Sequence, residues 1–156
     1  MTPAIDLLRS LGIAHSIDEY EHDPAHPSYG AEAAEALGVD ATSVFKTLLV
    51  TLDDGTHAVG IVPVGARLDL KAIAAAAGAK KAVMTEPAVA ERRTGYVIGG
   101  ISPFGQKQPS ATFVDEWATA LEIVHCSGGR RGLEVGVAPS AFVAALGATF
   151  APIAVW

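Results

Sequence analysis

Ser43-Val44-Phe45-Lys46-Thr47-Leu48-Leu49-Val50-Thr51-Leu52, then Asp53-Asp54-Gly55, then Thr56 to Val64, is two β-branched, apolar runs separated by a turn-forming break. That pattern predicts an antiparallel hairpin, because an Asp-Gly step supplies the positive φ that a tight turn needs. Strand alternation places Lys46 on the same face as Val44, Leu48 and Val50, a cation within an apolar row. An ammonium buried without a partner costs several kcal/mol, so Lys46 is expected either to face a cleft holding an acid or a bound oxygen, or to lie on a hydrated sheet edge.

Outward from the hairpin, punctuation residues mark the helices. Thr2-Pro3 reads as an N-cap with proline in the first turn, ahead of the Ile5, Leu8, Leu11 stripe that closes near Gly12. Residues 13–20 read as extended, and the Glu21-His22-Asp23-Pro24 break precedes a helix over Ala31 to Leu37 closed by Gly38. Asp69 caps a helix to about Ala77, and Pro87 opens another that Gly95 stops. Short strands are expected at Tyr96 to Gly99, Ala111 to Asp115, Ile123 to Ser127 and Leu133 to Val137, with a last helix near Ser140 to Leu146. Helices and strands mix without regular βαβ alternation. The expected class is therefore α+β, a curved mixed sheet or partial barrel flanked by helices, in one domain over residues 1–156.

Composition bounds the function. With 50% hydrophobic and 18% charged residues the chain suits a packed globule. Its longest apolar runs, such as Val59 to Val64, fall far short of the roughly 20 residues that cross a bilayer. The start of the chain lacks a signal-like block, so a cytoplasmic location with no membrane partner is expected. One cysteine, Cys126, excludes an internal disulfide framework, and no Cys/His spacing suggests a metal. A net charge of −6 opposes indiscriminate binding to DNA or RNA, so a nucleic-acid partner must meet a local basic patch.

Three further segments carry polar chemistry. Tyr20 and His22 border the Pro24 loop and offer an aromatic platform with hydrogen bonds, or simply shape a turn. Gly99-Gly100-Ile101-Ser102-Pro103 can turn backbone N–H groups toward an ester carbonyl or phosphate, but matches no nucleotide fingerprint and also suits an ordinary turn. Ser127-Gly128-Gly129-Arg130-Arg131-Gly132 is a polar, basic loop between two expected strands. No Gly-x-Ser-x-Gly elbow is present, and Cys126 reads as a small core residue.

In order and spacing, Tyr20-Glu21-His22-Asp23-Pro24, Val44-Phe45-Lys46-Thr47-Leu48, Leu68-Asp69-Leu70-Lys71, Gly95 through Pro103 and Ser127 through Leu133 closely resemble the YbaK family of Cys-tRNA(Pro) deacylases, related to the editing domain of bacterial prolyl-tRNA synthetases. The resemblance implies a trans-editing Cys-tRNA(Pro)/Cys-tRNA(Cys) deacylase with no cofactor. Its partners would be the charged 3′ end of tRNA and a prolyl-tRNA synthetase. Lys46 falls on the family's essential lysine and Tyr20 on the tyrosine of the terminal-adenosine pocket. His22, Thr47, Gly99, Gly100, Ile101, Ser102, Pro103, Ser127, Gly128, Gly129 and Glu134 are carried as substrate-binding positions. Glu134 stands where family members often have aspartate, and Arg130 replaces the lysine of a Gly-Lys-Arg-Gly turn. The implied chemistry is attack of the substrate's own thiol on its ester, giving a cyclic thiolactone. Deacylation of another small amino acid, alanine or serine, by water is the nearest alternative; a non-catalytic tRNA- or synthetase-binding module is the other.

Overall fold

The computed structural model describes residues 1–26 and 28–156. The hairpin forms as expected. Strand β2 (Phe45–Leu52) runs antiparallel to β3 (His57–Pro63), in register from Phe45 opposite Pro63 to Thr51 opposite His57; the shorter β1 (Ser16–Glu19) precedes them. The turn is closed by Leu52 N–H to the Thr56 carbonyl at 2.8 Å, and Gly55 takes φ 86. Asp54 accepts from both the backbone N–H and the hydroxyl of Thr56. These bonds satisfy the polar groups of an exposed turn locally.

The hairpin lies at the centre of a five-stranded mixed sheet, ordered β5-β2-β3-β6-β9. The two-residue β4 (Arg67–Leu68) stands outside it; β5 (Ala82–Met84) pairs antiparallel with β2, while β6 (Ala111–Asp115) pairs parallel with β3. Both faces are covered, which is why β3 is apolar almost throughout rather than alternating. On one face Phe45, Leu49, Val59, Ile61 and Val114 share a core with Ile5 and Leu8 of helix α1 (Pro3–Ser10) and with Phe104 and Phe142, whose rings stack 5.5 Å apart. On the other, Val50, Ala58, Val62 and Phe113 meet Ile73 and Ala74, which follow the helix α2 (Tyr29–Leu37) in chain order and belong to α3 (Leu70–Ala76). Gly60 explains itself here: a Cβ on it would meet Leu68 Cδ1 at 2.9 Å and Ile73 Cδ1 at 3.0 Å, so the glycine lets α3 lie close on the sheet.

Strands β7 (Val124–Arg130) and β8 (Leu133–Val137) form a second, three-stranded antiparallel sheet ordered β1-β8-β7. The mixed, helix-flanked architecture is as expected, and its strands divide into two main sheets joined where Val44 bridges His125 in parallel. A register shift between Ser127 and Arg130 bends β7 at Gly128 and Gly129. After helix α4 (Pro87–Thr94) and α5 (Ser140–Leu146), the chain closes with β9 (Thr149–Ala151) beside β6, and β10 (Ala154–Val155) beside β4.

One expected strand is absent. Residues 96–99 form a turn. Tyr96 is buried and donates its hydroxyl to the Phe104 carbonyl at 2.7 Å, Gly95 and Gly99 take φ 80 and 89, and Gly100 N–H donates to the Val97 carbonyl at 2.8 Å. Val97 is consequently 67% exposed. The local β-propensity of Tyr-Val-Ile is overridden because two left-handed glycines bracket it and no strand lies alongside.

Candidate functional site

Strand β5 pairs only with Val50 to Leu52, so among the described residues β2 has no ladder partner on that side from Phe45 to Leu48, where β7 approaches through the Val44–His125 bridge alone. This open edge lies next to the seam with the second sheet and forms one wall of a cleft of about 350 Å³. Val44, Phe45, Lys46, Thr47 and Leu48 all touch the cleft; Tyr20, Ser127 and Glu134 line it from the second sheet and its margin, and Ile98, Gly99 and Ile101 from the 95–103 turn. The start of α2 supplies Ser28, Tyr29 and Gly30. That size falls within the roughly 300–1,000 Å³ of small-molecule sites.

Lys46 is half-buried and forms no salt bridge among the described residues. Burial lowers its pKa below the ordinary lysine value. A partly desolvated ammonium with no protein counter-charge favours an electronegative substrate atom, which would stabilise the cationic form. Beside it, the Thr47 hydroxyl is buried with no hydrogen-bond partner. Glu134 is 8% exposed and its Oε2 is also unpartnered. Its pKa rises to about 8, first through burial and then through Asp18, which stands directly opposite it across β1 and β8. At neutral pH the Glu134 carboxyl is therefore mostly protonated and can donate a hydrogen bond as well as accept one. The Tyr20 pKa is pushed up to about 12 by burial, then by the nearby Glu134 and Glu32 carboxyls, so it stays a phenol.

The 95–103 turn contributes backbone rather than side chains. A Cβ on Gly99 would meet Arg131 Nε at 2.5 Å and Tyr29 Cε2 at 2.8 Å, and Gly100 sits against the Arg130 backbone in the same way. Arg131 holds this corner: it donates to the Ile98 carbonyl at 2.8 Å and its guanidinium lies 4.1 Å from the centroid of the Tyr29 ring.

Of the positions expected from sequence, Lys46, Tyr20, Thr47, Gly99, Ile101, Ser127 and Glu134 converge on the cleft. The others stand outside its lining. His22 bonds to Glu32 at 2.7 Å with its ring 5.7 Å from that of Tyr29, so it props the aromatic wall from behind. Ser102 is fully buried and its hydroxyl accepts from Phe104 N–H, while Pro103 is buried beside it; both shape the turn from within. Gly128 accepts from the Thr2 hydroxyl, and Gly129 donates to the Ser127 hydroxyl at 3.1 Å. Tyr29, Gly30, Val64 and Ile98 were not among the expected contacts. Ser28 was the available signal for the first two: its hydroxyl accepts from Ala31 N–H, so the helix starts earlier than the apolar pattern alone suggests.

Among the described residues, the Ser28, Thr47 and Ser127 hydroxyls of the lining have no histidine or carboxylate hydrogen-bonded to them as a base. Cys126 is fully buried in the core and burial raises its thiol pKa well above the ordinary value. The arrangement can instead bind: an ammonium for oxygen atoms, a neutral carboxyl and an orphan hydroxyl for polar hydrogens, an aromatic wall, and a glycine turn that permits close backbone approach.

Comparison with known proteins gives the family and the fold. The model of the aminoacyl-tRNA editing domain family matches residues 23–144. Over 136 residues the chain is 35% identical to EbsC of Enterococcus faecalis, named a candidate Cys-tRNA(Pro)/Cys-tRNA(Cys) deacylase; the match covers 86% of this chain and 83% of that protein. Among solved structures, a candidate trans-editing enzyme for prolyl tRNA synthetase superposes with a TM-score of 0.85 at 24% identity, over 100% of this chain and 99% of that one. A hypothetical protein superposes at 0.86 with 25% identity, over 99% and 100% of the two chains. The former, at that identity, establishes the fold alone.

Proposed function

The chain belongs to the aminoacyl-tRNA editing domain family, and from that premise we propose that it is a trans-editing deacylase, one domain over residues 1–156, that removes cysteine from Cys-tRNA(Pro) and Cys-tRNA(Cys) in the cytoplasm. The observation that carries the reading is the half-buried Lys46, without a salt bridge among the described residues, in a cleft whose described lining holds no thiol and no base-paired hydroxyl. A cysteinyl ester needs neither, because its own thiol lies close to its carbonyl. The sulfur attacks the ester carbon, a C–S bond forms and the C–O bond to the ribose breaks. The thiol proton ends on the departing ribose oxygen, leaving cysteine thiolactone and tRNA with a free hydroxyl.

The protein's part is position and charge. Lys46 binds the ester oxygens and stabilises the negative charge that develops on them. The Gly99 turn admits the aminoacyl group close to the backbone, Thr47 and Glu134 offer the polar contacts they lack, and Tyr20 with Tyr29 forms the wall for the terminal adenosine. Holding sulfur and carbon in a near-attack arrangement can raise the effective concentration to about 10⁵–10⁸ M in favourable cases. A prolyl-tRNA synthetase partner would supply the choice of tRNA, since the cleft is sized for the charged end of the molecule alone.

A panel of Cys-, Pro-, Ala- and Ser-charged tRNA, with the released product identified, tests the proposal. Multiple turnovers on the cysteinyl ester with thiolactone as first product are expected. Release of free amino acid from alanyl or seryl esters at the same rate would replace the thiol route with water attack.

A further inference from the structure

Away from the substrate cleft, a second depression of about 240 Å³ lies between the segment after β6 and the end of the chain. Its walls are Trp117 and Trp156, 40% and 63% exposed, with ring centroids 6.0 Å apart and planes at 77°. The pair is built, not incidental. Asp115 accepts from Trp117 N–H on one oxygen and from Ile153 and Ala154 N–H on the other, tying the two tryptophan-bearing segments together. The Trp117 indole N–H donates to the Thr42 carbonyl, which fixes that ring. Glu116 stands exposed at the mouth and forms no salt bridge among the described residues.

Among the described residues the lining holds two indoles, the exposed Glu116 carboxylate and no cation, while the buried Asp115 already has both oxygens occupied by backbone N–H groups. Arg67 lies opposite Val155 in the β4–β10 pair but is not part of the lining. A volume below the roughly 300 Å³ of the smallest usual ligand sites suits one long side chain better than a cofactor. Single-stranded RNA could stack on the rings, yet its phosphates require lysine or arginine, and the depression presents the Glu116 carboxylate instead. Indoles are the strongest cation-binding rings, and a carboxylate beside them completes the complement. Trp156 also lies outside the residues matched by the family model.

We propose that the Trp117–Trp156 depression docks a basic segment of a partner protein, with one arginine or lysine side chain laid against the exposed indole surface of the pair and its charge facing Glu116. This surface is separate from the deacylation cleft and does not depend on the identity of the substrate.

The chain has two tryptophans, so emission from Trp117 and Trp156 reports on this surface alone. Titration with the end-blocked peptide Ser-Gly-Arg-Arg-Gly-Ser is expected to give a saturable change in emission. The same peptide with citrulline for arginine should bind at least about tenfold more weakly, since it keeps the shape and loses the charge. By calorimetry, Trp156→Ala and Glu116→Gln should each weaken the arginine peptide several-fold or more, with thermal melting and deacylation unchanged. Equal binding of the citrulline and arginine peptides would overturn the proposal. So would full-strength binding by Trp156→Ala, which would mean general attraction to a net charge of −6. An emission change elicited by oligocytidylate but not by the peptide would assign the surface to RNA, and one produced by raising protein concentration alone would assign it to a second copy of the chain.

Discussion

The two halves of β2 differ in their neighbours more than in their composition. From Val50 to Leu52 the strand is held between β3 and β5, and Val50 is fully buried in an all-apolar cluster. From Phe45 to Leu48 it keeps β3 on one side and loses β5 on the other, and there the polar Lys46 and Thr47 are half-buried against a cleft. One strand thus serves as scaffold at one end and as binding wall at the other. A polar residue in an apolar strand takes its role from whether the ladder continues beside it.

The contrast is broken most sharply by mutating both halves. Lys46→Ala should reduce turnover on the cysteinyl ester by about 10²–10³-fold, as loss of a charge-stabilising donor does, while thermal melting changes little. Val50→Ala should do the opposite: roughly 2 kcal/mol lost from unfolding free energy, read by urea titration, with activity per folded molecule retained.

Glu134 is expected to reveal the burial of the cleft through pH. Its carboxyl titrates near 8 in the folded chain against 4.5 in the unfolded one. Below about pH 4.5 it is protonated in both states; between there and about 8 the unfolded chain releases a proton that the folded chain keeps, so stability falls as pH rises, and above 8 the loss is complete. The fall is of the order of a few kcal/mol and should be absent in Glu134→Gln, as urea midpoints at about pH 5 and pH 9 would show.

Smaller effects belong to the rim. Gly99→Ala places a Cβ against Arg131 and Tyr29 at a positive φ, a strain of about 1–2 kcal/mol, and is expected to lower kcat/KM about tenfold. Arg131→Lys keeps the charge but loses the planar stack on Tyr29; a rise in KM of about two- to fivefold with kcat retained is expected.

Much of this was legible in local chemistry. The Asp-Gly turn, the Asp69 cap on Ala72 N–H, Pro87 at the head of α4 and Gly38 at the end of α2 each act within a few residues of themselves, so sequence spacing suffices to place them. Lys46 stood out for the same reason: alternation exposes a mismatch that depends only on its own strand. The missed features are those fixed by distant partners. Tyr96 to Gly99 reads as a strand until it is known that no strand lies alongside to pair with it and that the Tyr96 hydroxyl donates to the Phe104 carbonyl, holding the turn its two bracketing glycines allow. Glu134 owes its raised pKa in part to Asp18, placed opposite it by a register that no local pattern encodes. His22 carries hydrogen-bonding chemistry suited to a ligand, but Glu32, ten residues on, takes it up.

Single-turnover deacylation of cysteinyl and seryl esters on the same tRNA is the most direct test, because the two side chains differ in one atom and only sulfur is a competent internal nucleophile. The account predicts rapid loss of cysteine, slow loss of serine, and a Lys46→Ala protein that has lost the difference. Equal rates for the two esters with the native protein would contradict it.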